Sequence, residues 1–123
     1  MKLIFSHTIS KKEKISIQDR TDIIKASSKR IFINIKGNSL PKHSQLVKIY
    51  MTTIAGARRA IFLVDLESGD RFFLFYRSKN DKIGKNITIK NPEFKITLIK
   101  YLSFLNDDIC KKAYDAFELK LLF

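Results

Sequence analysis

The chain has 123 residues, 45% of them hydrophobic, enough for one domain with a modest core and inconsistent with wholesale disorder. It carries 24 Lys and Arg against 12 Asp and Glu, a net charge of +12. Such a field favours a polyanionic partner: nucleic acid, an anionic membrane or an acidic protein. Part of the excess is also what an AT-rich coding sequence yields, since Lys and Ile each occur 18 times. The single cysteine, Cys110, excludes an intramolecular disulfide and a multi-cysteine zinc site. No stretch approaches the roughly 18 apolar residues of a membrane span, and the N-terminus lacks signal-peptide character, so the expected compartment is the cytoplasm.

In chain order, Leu3 to Ile9 suggests a short strand, followed by a charged loop at Lys11-Lys12-Glu13-Lys14. Ser16 offers an N-cap, with Asp19 three residues later as in a capping box. The spacing of Ile17, Thr21, Ile24, Ser28, Ile31 and Ile35 predicts a helical face, with Gly37 as the left-handed residue past its end. Residues 31–36 also alternate as a strand does, so helix is preferred for 17–30 and both states stay open beyond.

Pro41 breaks a loop before a strand at Val47–Ile54. Ala55-Gly56-Ala57 turns into a strand at Arg58–Leu66, and Glu67-Ser68-Gly69 turns into a third, from Asp70 or Arg71 to Lys79. These make an antiparallel meander, apolar on both faces over its last two strands and so covered on both sides. A polar loop, Asn80–Asn86, leads to Asn91 and Pro92, an N-cap and first helical residue. Phe94, Leu98, Tyr101, Leu102 and Leu105 stripe that helix, and Asp107-Asp108 suggests the cap of a further short helix holding Tyr114 and Phe117. The expectation is a single α+β domain over 1–123, with a C-terminal extension from about residue 107.

Four scattered glycines cannot form a phosphate loop, and His7 and His43 have no partner at metal-ligand spacing. What remains is arginine on strands. A three-residue loop ending in Gly69 suits a type I turn with a G1 bulge, setting Leu66 opposite Asp70. Counting outward sets Arg59 opposite Arg77, on one face with Ile61, Leu63, Phe73 and Phe75. A two-residue loop would put the arginines on opposite faces. Opposed arginines repel by a few tenths to about 1 kcal/mol. A bound phosphate would relieve this, because guanidinium donors match phosphate oxygens; two arginines snorkelling to solvent is the other reading. Tyr76 points to the other face, with Phe72 and Leu74, and suits core packing. His43 is either a general base or a surface loop histidine.

The order of strand, helical region and meander resembles the RelE/ParE toxins of toxin–antitoxin systems. The segment Gly56-Ala57-Arg58-Arg59-Ala60-Ile61-Phe62-Leu63-Val64-Asp65 is similar to the family's arginine-bearing strand. Phe73-Leu74-Phe75-Tyr76-Arg77-Ser78-Lys79 is similar to the strand after it, which ends in Arg or Lys, and Asp81–Asn86 resembles the loop before the C-terminal helix in one subgroup. The likeness covers roughly residues 40–105; the region before Gly37 looks short for the family's two-helix hairpin.

The resemblance implies a RelE-like fold and a metal-independent, cofactor-free endoribonuclease that inhibits translation, often by cutting mRNA in the ribosomal A site. It implies Arg59 as phosphate stabiliser, Arg77 as phosphate binder or acid, and Lys48 and His43 as candidates for the base. Arg58, Lys79, Lys82 and Lys85 would hold the RNA backbone, and an acidic antitoxin would be the protein partner. Two alternatives stay open: a ParE-like, non-catalytic gyrase inhibitor and a simple nucleic-acid-binding module.

Overall fold

Nine elements occur in the computed structural model, which describes residues 1–28, 33–37 and 40–119. They are β1 (Lys2–Ser6), α1 (His7–Lys12), α2 (Ile17–Ser27), β2 (Ile33–Ile35), β3 (Ser44–Thr53), β4 (Gly56–Asp65), β5 (Arg71–Ser78), α3 (Pro92–Cys110) and β6 (Tyr114–Glu118). The strands form one sheet in the order β2-β3-β4-β5-β1-β6. β1 runs parallel to β5 and the other neighbours pair antiparallel. The class is α+β, with the meander where expected. Among the described residues no helix is long and apolar enough to cross a membrane.

The N-terminal segment departs from the sequence expectation. The first strand ends at Ser6, and His7–Lys12 is helical rather than strand and loop. Two groups hold that helix start: the Ser6 hydroxyl accepts from the Ile9 amide, and the Asp108 carboxylate, from α3, accepts from the Thr8 amide at 2.8 Å. One of these caps is remote in sequence, so local spacing does not announce it.

α2 opens with the expected capping box, Ser16 and Asp19 bonding each other's backbone. Its buried side is different. Ile17 is 88% exposed, and Ile23 and Ser27 face inward. Arg20 lies over the rings of Phe5 and Phe117, at 5.1 and 5.5 Å, and pairs with Asp115. The helix stops at Ser27, so Gly37 does not terminate it; Ile33–Ile35 is strand, and 31–32 lie outside the described residues.

At the other end, α3 continues through Asp107 and Asp108 to Cys110, and Tyr114–Glu118 is a strand, not a helix. Asp108 caps no new helix, because its carboxylate is taken by Ser6 and Thr8. β6 instead fills the free edge of β1, where Phe117 meets Phe5 edge-on at 5.8 Å. Of the C-terminal residues 119–123, only Leu119 is among the described residues, and it is buried.

The helices cover opposite faces. Phe5 lies under Arg20 of α2, whereas its neighbour Ser6 bonds Asp108 of α3, as alternation along a strand requires. On the α3 face, Phe75 stacks on Tyr101 at 4.9 Å and tilts against Phe94 at 5.4 Å. On the α2 face, Phe73 packs on Phe5 and Phe62. Phe62, Phe73, Phe75 and Phe94 are fully buried, each contributing about 2–3 kcal/mol by burial.

Candidate functional site

Arg59 on β4 stands opposite Arg77 on β5, and on its other side opposite Tyr50 on β3. The three residues form one row across the sheet, on the α3 face. The register has a different origin from the one expected. The β4–β5 turn closes at Asp65 and Asp70, whose backbone bond is 2.9 Å, and not at Leu66 and Asp70. Val64 then faces Arg71 and Phe62 faces Phe73, after which the register shifts so that Ile61 faces Phe75. Leu74 is the extra residue of this bulge. The shift puts Phe73 on the α2 face, away from the arginines, and leaves Phe72 among Leu63, Leu102 and Leu105 on the α3 face. Phe72 is therefore not on the Tyr76 side. Tyr76 itself does face α2, where Asp19, Asp22 and Arg58 act on its hydroxyl and burial raises its pKa.

Arg77 is committed within the protein. Its Nε and Nη2 grip both oxygens of Glu13 at 2.9 and 2.7 Å, and its Nη1 meets Asp81 at 3.2 Å. The Glu13 side chain is 1% exposed and also accepts from the Tyr76 amide at 2.8 Å and the Tyr101 hydroxyl at 2.6 Å. Burial works against the guanidinium charge, but Glu13 and then Asp81 outweigh it and raise the Arg77 pKa. Burial and the Glu13 charge together raise that of Tyr101. The repulsion between opposed arginines is thus relieved by two carboxylates of the chain itself. No phosphate is needed for it, and Arg77 does not have to escape to solvent.

Arg77 also orders the loop beyond β5. Asp81 accepts from the amides of Ile83 and Gly84, and burial notwithstanding, these bonds and Arg77 lower its pKa. Gly84 sits so close to β5 that a Cβ would fall 2.0 Å from the Ser78 carbonyl. Asn91 closes the loop by donating to the Lys82 and Asn86 carbonyls. Lys79 follows the end of β5, and Lys82 and Lys85 lie on this braced segment.

Arg59 differs. Among the described residues no carboxylate pairs with it or with Lys48. Its guanidinium lies 4.6 Å from the ring centre of Tyr50, which is 53% exposed, and the Lys48 ammonium lies 5.2 Å from the same ring. Lys48 and Arg59 are therefore brought together around a shared aromatic. Arg58 is not with them: it projects toward α2 and bonds the Ala57 carbonyl.

His43 is also elsewhere. It has a positive φ of 58°, its carbonyl accepts from Leu66, and its ring is 3.8 Å from Glu67. Ser44 pairs with Asp65 and Tyr50 with Arg59, so His43 stands about 20 Å along the sheet from Arg59. It lines a hollow of about 320 Å³ with Asp65, Phe72 and Leu105. A larger groove, about 940 Å³, runs between α2 and β3, with Asp19, Asp22 and Lys25 on one wall. Arg59 lines neither.

Two residues of the site escaped sequence reasoning. Glu13 looked like part of a charged loop, and only the folded chain carries it to Arg77. Tyr50 was missed although a signal for it exists: Val47, Ile49 and Met51 alternate inward and leave Lys48 and Tyr50 outward. Searches against family models, curated proteins and solved structures find no match to this chain.

Proposed function

We propose that the protein is a toxin of the RelE/ParE type, a metal-independent endoribonuclease that cuts mRNA and is neutralised by an acidic antitoxin. The observation that carries the proposal is Arg59: a strand arginine with no carboxylate partner among the described residues, beside Lys48 on an open sheet face. Two cations in this position suit the negative charge of a phosphodiester and of the phosphorane formed from it. The sequence of strand, two helices and meander, and the lysine-bearing loop ahead of α3, support the same assignment by resemblance.

The reaction is attack of the RNA's own 2′-oxygen on the adjacent phosphorus. The 2′-OH gives up its proton, the bond to the 5′-oxygen breaks, and that oxygen takes up a proton, leaving a 2′,3′-cyclic phosphate and a 5′-OH. Arg59 is assigned to the charge of the phosphorane. Lys48 and Tyr50 are the groups beside it that carry transferable protons, and His43 is too distant to serve. Arg77 becomes a positioning residue, holding the loop that presents Lys79, Lys82 and Lys85.

The test is induction in bacteria with mapping of mRNA ends. Growth arrest with new internal 5′-OH ends, both abolished by Arg59→Ala, is expected. Arrest with intact transcripts and double-strand DNA breaks would replace the proposal with gyrase inhibition. Salt-sensitive nucleic-acid binding without arrest or cleavage would reduce it to a binding module.

A further inference from the structure

Tyr50 is an exposed ring on a strand whose adjacent residues, Ile49 and Met51, are buried. Its row partner beyond Arg59 is the neutralised Arg77, and α3 lies over β1 and β5, where it meets Ser6 and Phe75. The ring is thus left to solvent, with Arg59 and Lys48 as the cations beside it among the described residues. Among the described residues no ring stacking ties Tyr50 to the core, and neither of the two cations attracted to the ring pairs with a carboxylate.

We propose that Tyr50 is a base-stacking platform, and that the Lys48–Tyr50–Arg59 face takes single-stranded RNA with an unpaired base on the ring and flanking phosphates on the two cations. This rests on the RNA-directed function proposed above and specifies its substrate. A nucleobase offers a flat π surface that an exposed tyrosine can stack on, whatever its identity. Lys48 reaches the ring through a flexible four-carbon stem, so its ammonium can turn to a phosphate as a base arrives. In a duplex the bases are already stacked on one another and only phosphates are presented, so Tyr50 contributes nothing to duplex binding. An acidic polypeptide would engage the cations and likewise leave the ring unstacked.

The chain contains no tryptophan, so Tyr50→Trp introduces a sole indole as reporter at this position. Its fluorescence is followed at low salt while adding a single-stranded oligouridylate, an abasic strand of equal length, an RNA duplex and polyglutamate. Quenching by the oligouridylate alone is expected. In parallel, Tyr50→Ala, checked for folding by circular dichroism, should bind the oligouridylate about tenfold more weakly, bind the abasic strand and duplex unchanged, and be rescued by Tyr50→Phe. RNA binding with no quenching, or equal losses for all three nucleic acids, overturns the stacking role and leaves RNA recognition standing. Salt-sensitive binding of polyglutamate in place of the oligouridylate, with no quenching by either, assigns the face to an acidic protein. Failure of the folded native chain to bind any RNA removes both this proposal and the one beneath it.

Discussion

Replacing Glu13 by alanine withdraws one acceptor group from four donors at once: the Tyr76 amide, two nitrogens of Arg77 and the Tyr101 hydroxyl. A neutral bond lost from a buried site costs about 1 kcal/mol, and breaking a buried ion pair from one side costs about 3–5 kcal/mol. Arg77 keeps Asp81, and its side chain is 24% exposed, so water recovers part of the loss. The expected cost is therefore about 3 kcal/mol, near the lower end of that range. For a domain of this length, Tm should fall by roughly 10 °C. Urea unfolding followed by far-UV circular dichroism, on Glu13→Ala, Arg77→Met and the double variant, measures it. The double variant should be at least about 1 kcal/mol more stable than the two single losses summed, because removing the guanidinium relieves the charge that Glu13→Ala strands. A Glu13→Ala protein within about 0.5 kcal/mol of the native chain, or strict additivity, would mean that Glu13 does not hold Arg77. The guanidinium would then be available to a ligand after all.

Arg59→Ala should unfold with nearly the native midpoint, within about 1 kcal/mol, because its guanidinium rests on one exposed ring; a loss as large as that of Glu13→Ala would make Arg59 structural. Burial opposes the Asp108 charge, but bonds from Ser6 and Thr8 outweigh it and hold the carboxyl below its ordinary 3.8. A depressed carboxylate stabilises the fold above its ordinary pKa and loses that contribution as pH falls through the folded value. The urea midpoint should therefore drop below about pH 4, and Asp108→Asn should flatten that drop; an unchanged slope would remove Asp108 as its source. Gly84→Ala should cost about 2 kcal/mol or more, since the new methyl meets a backbone carbonyl that cannot rotate away; a native melting curve would contradict the close approach to Ser78.

What was legible in the sequence was whatever is decided locally. The capping box at Ser16 and Asp19, the Asn91-Pro92 helix start and the meander strands rest on neighbours a few residues apart, and each is where spacing puts it. Sequence spacing failed where a remote group decides. His7–Lys12 is a helix in part because Asp108, a hundred residues on, caps it. Tyr114–Glu118 is a strand because β1 has a free edge to offer. The inward side of α2 is set by Phe5 and Phe117 beneath Arg20, so the isoleucine at position 17 counts for less than its periodicity suggests.

The arginine pair shows how a correct contact can arise from an incorrect cause. The four residues Leu66–Gly69 form the turn, and the register they impose, Val64 opposite Arg71, would set Arg59 opposite Tyr76 if carried outward without change. The two arginines would then face opposite sides of the sheet. Leu74, one extra residue in the strand, restores the pairing. No alternation could reveal it, because Phe72, Phe73, Leu74 and Phe75 are all apolar and a run with both faces covered has no visible phase. The consequence reaches the site. The bulge turns Arg77 toward α3, where Glu13 and Tyr101 wait, and Arg59 is left as the row's unneutralised cation beside Tyr50. Two arginines that look equivalent along the chain are thereby divided, one holding the domain together and the other facing outward.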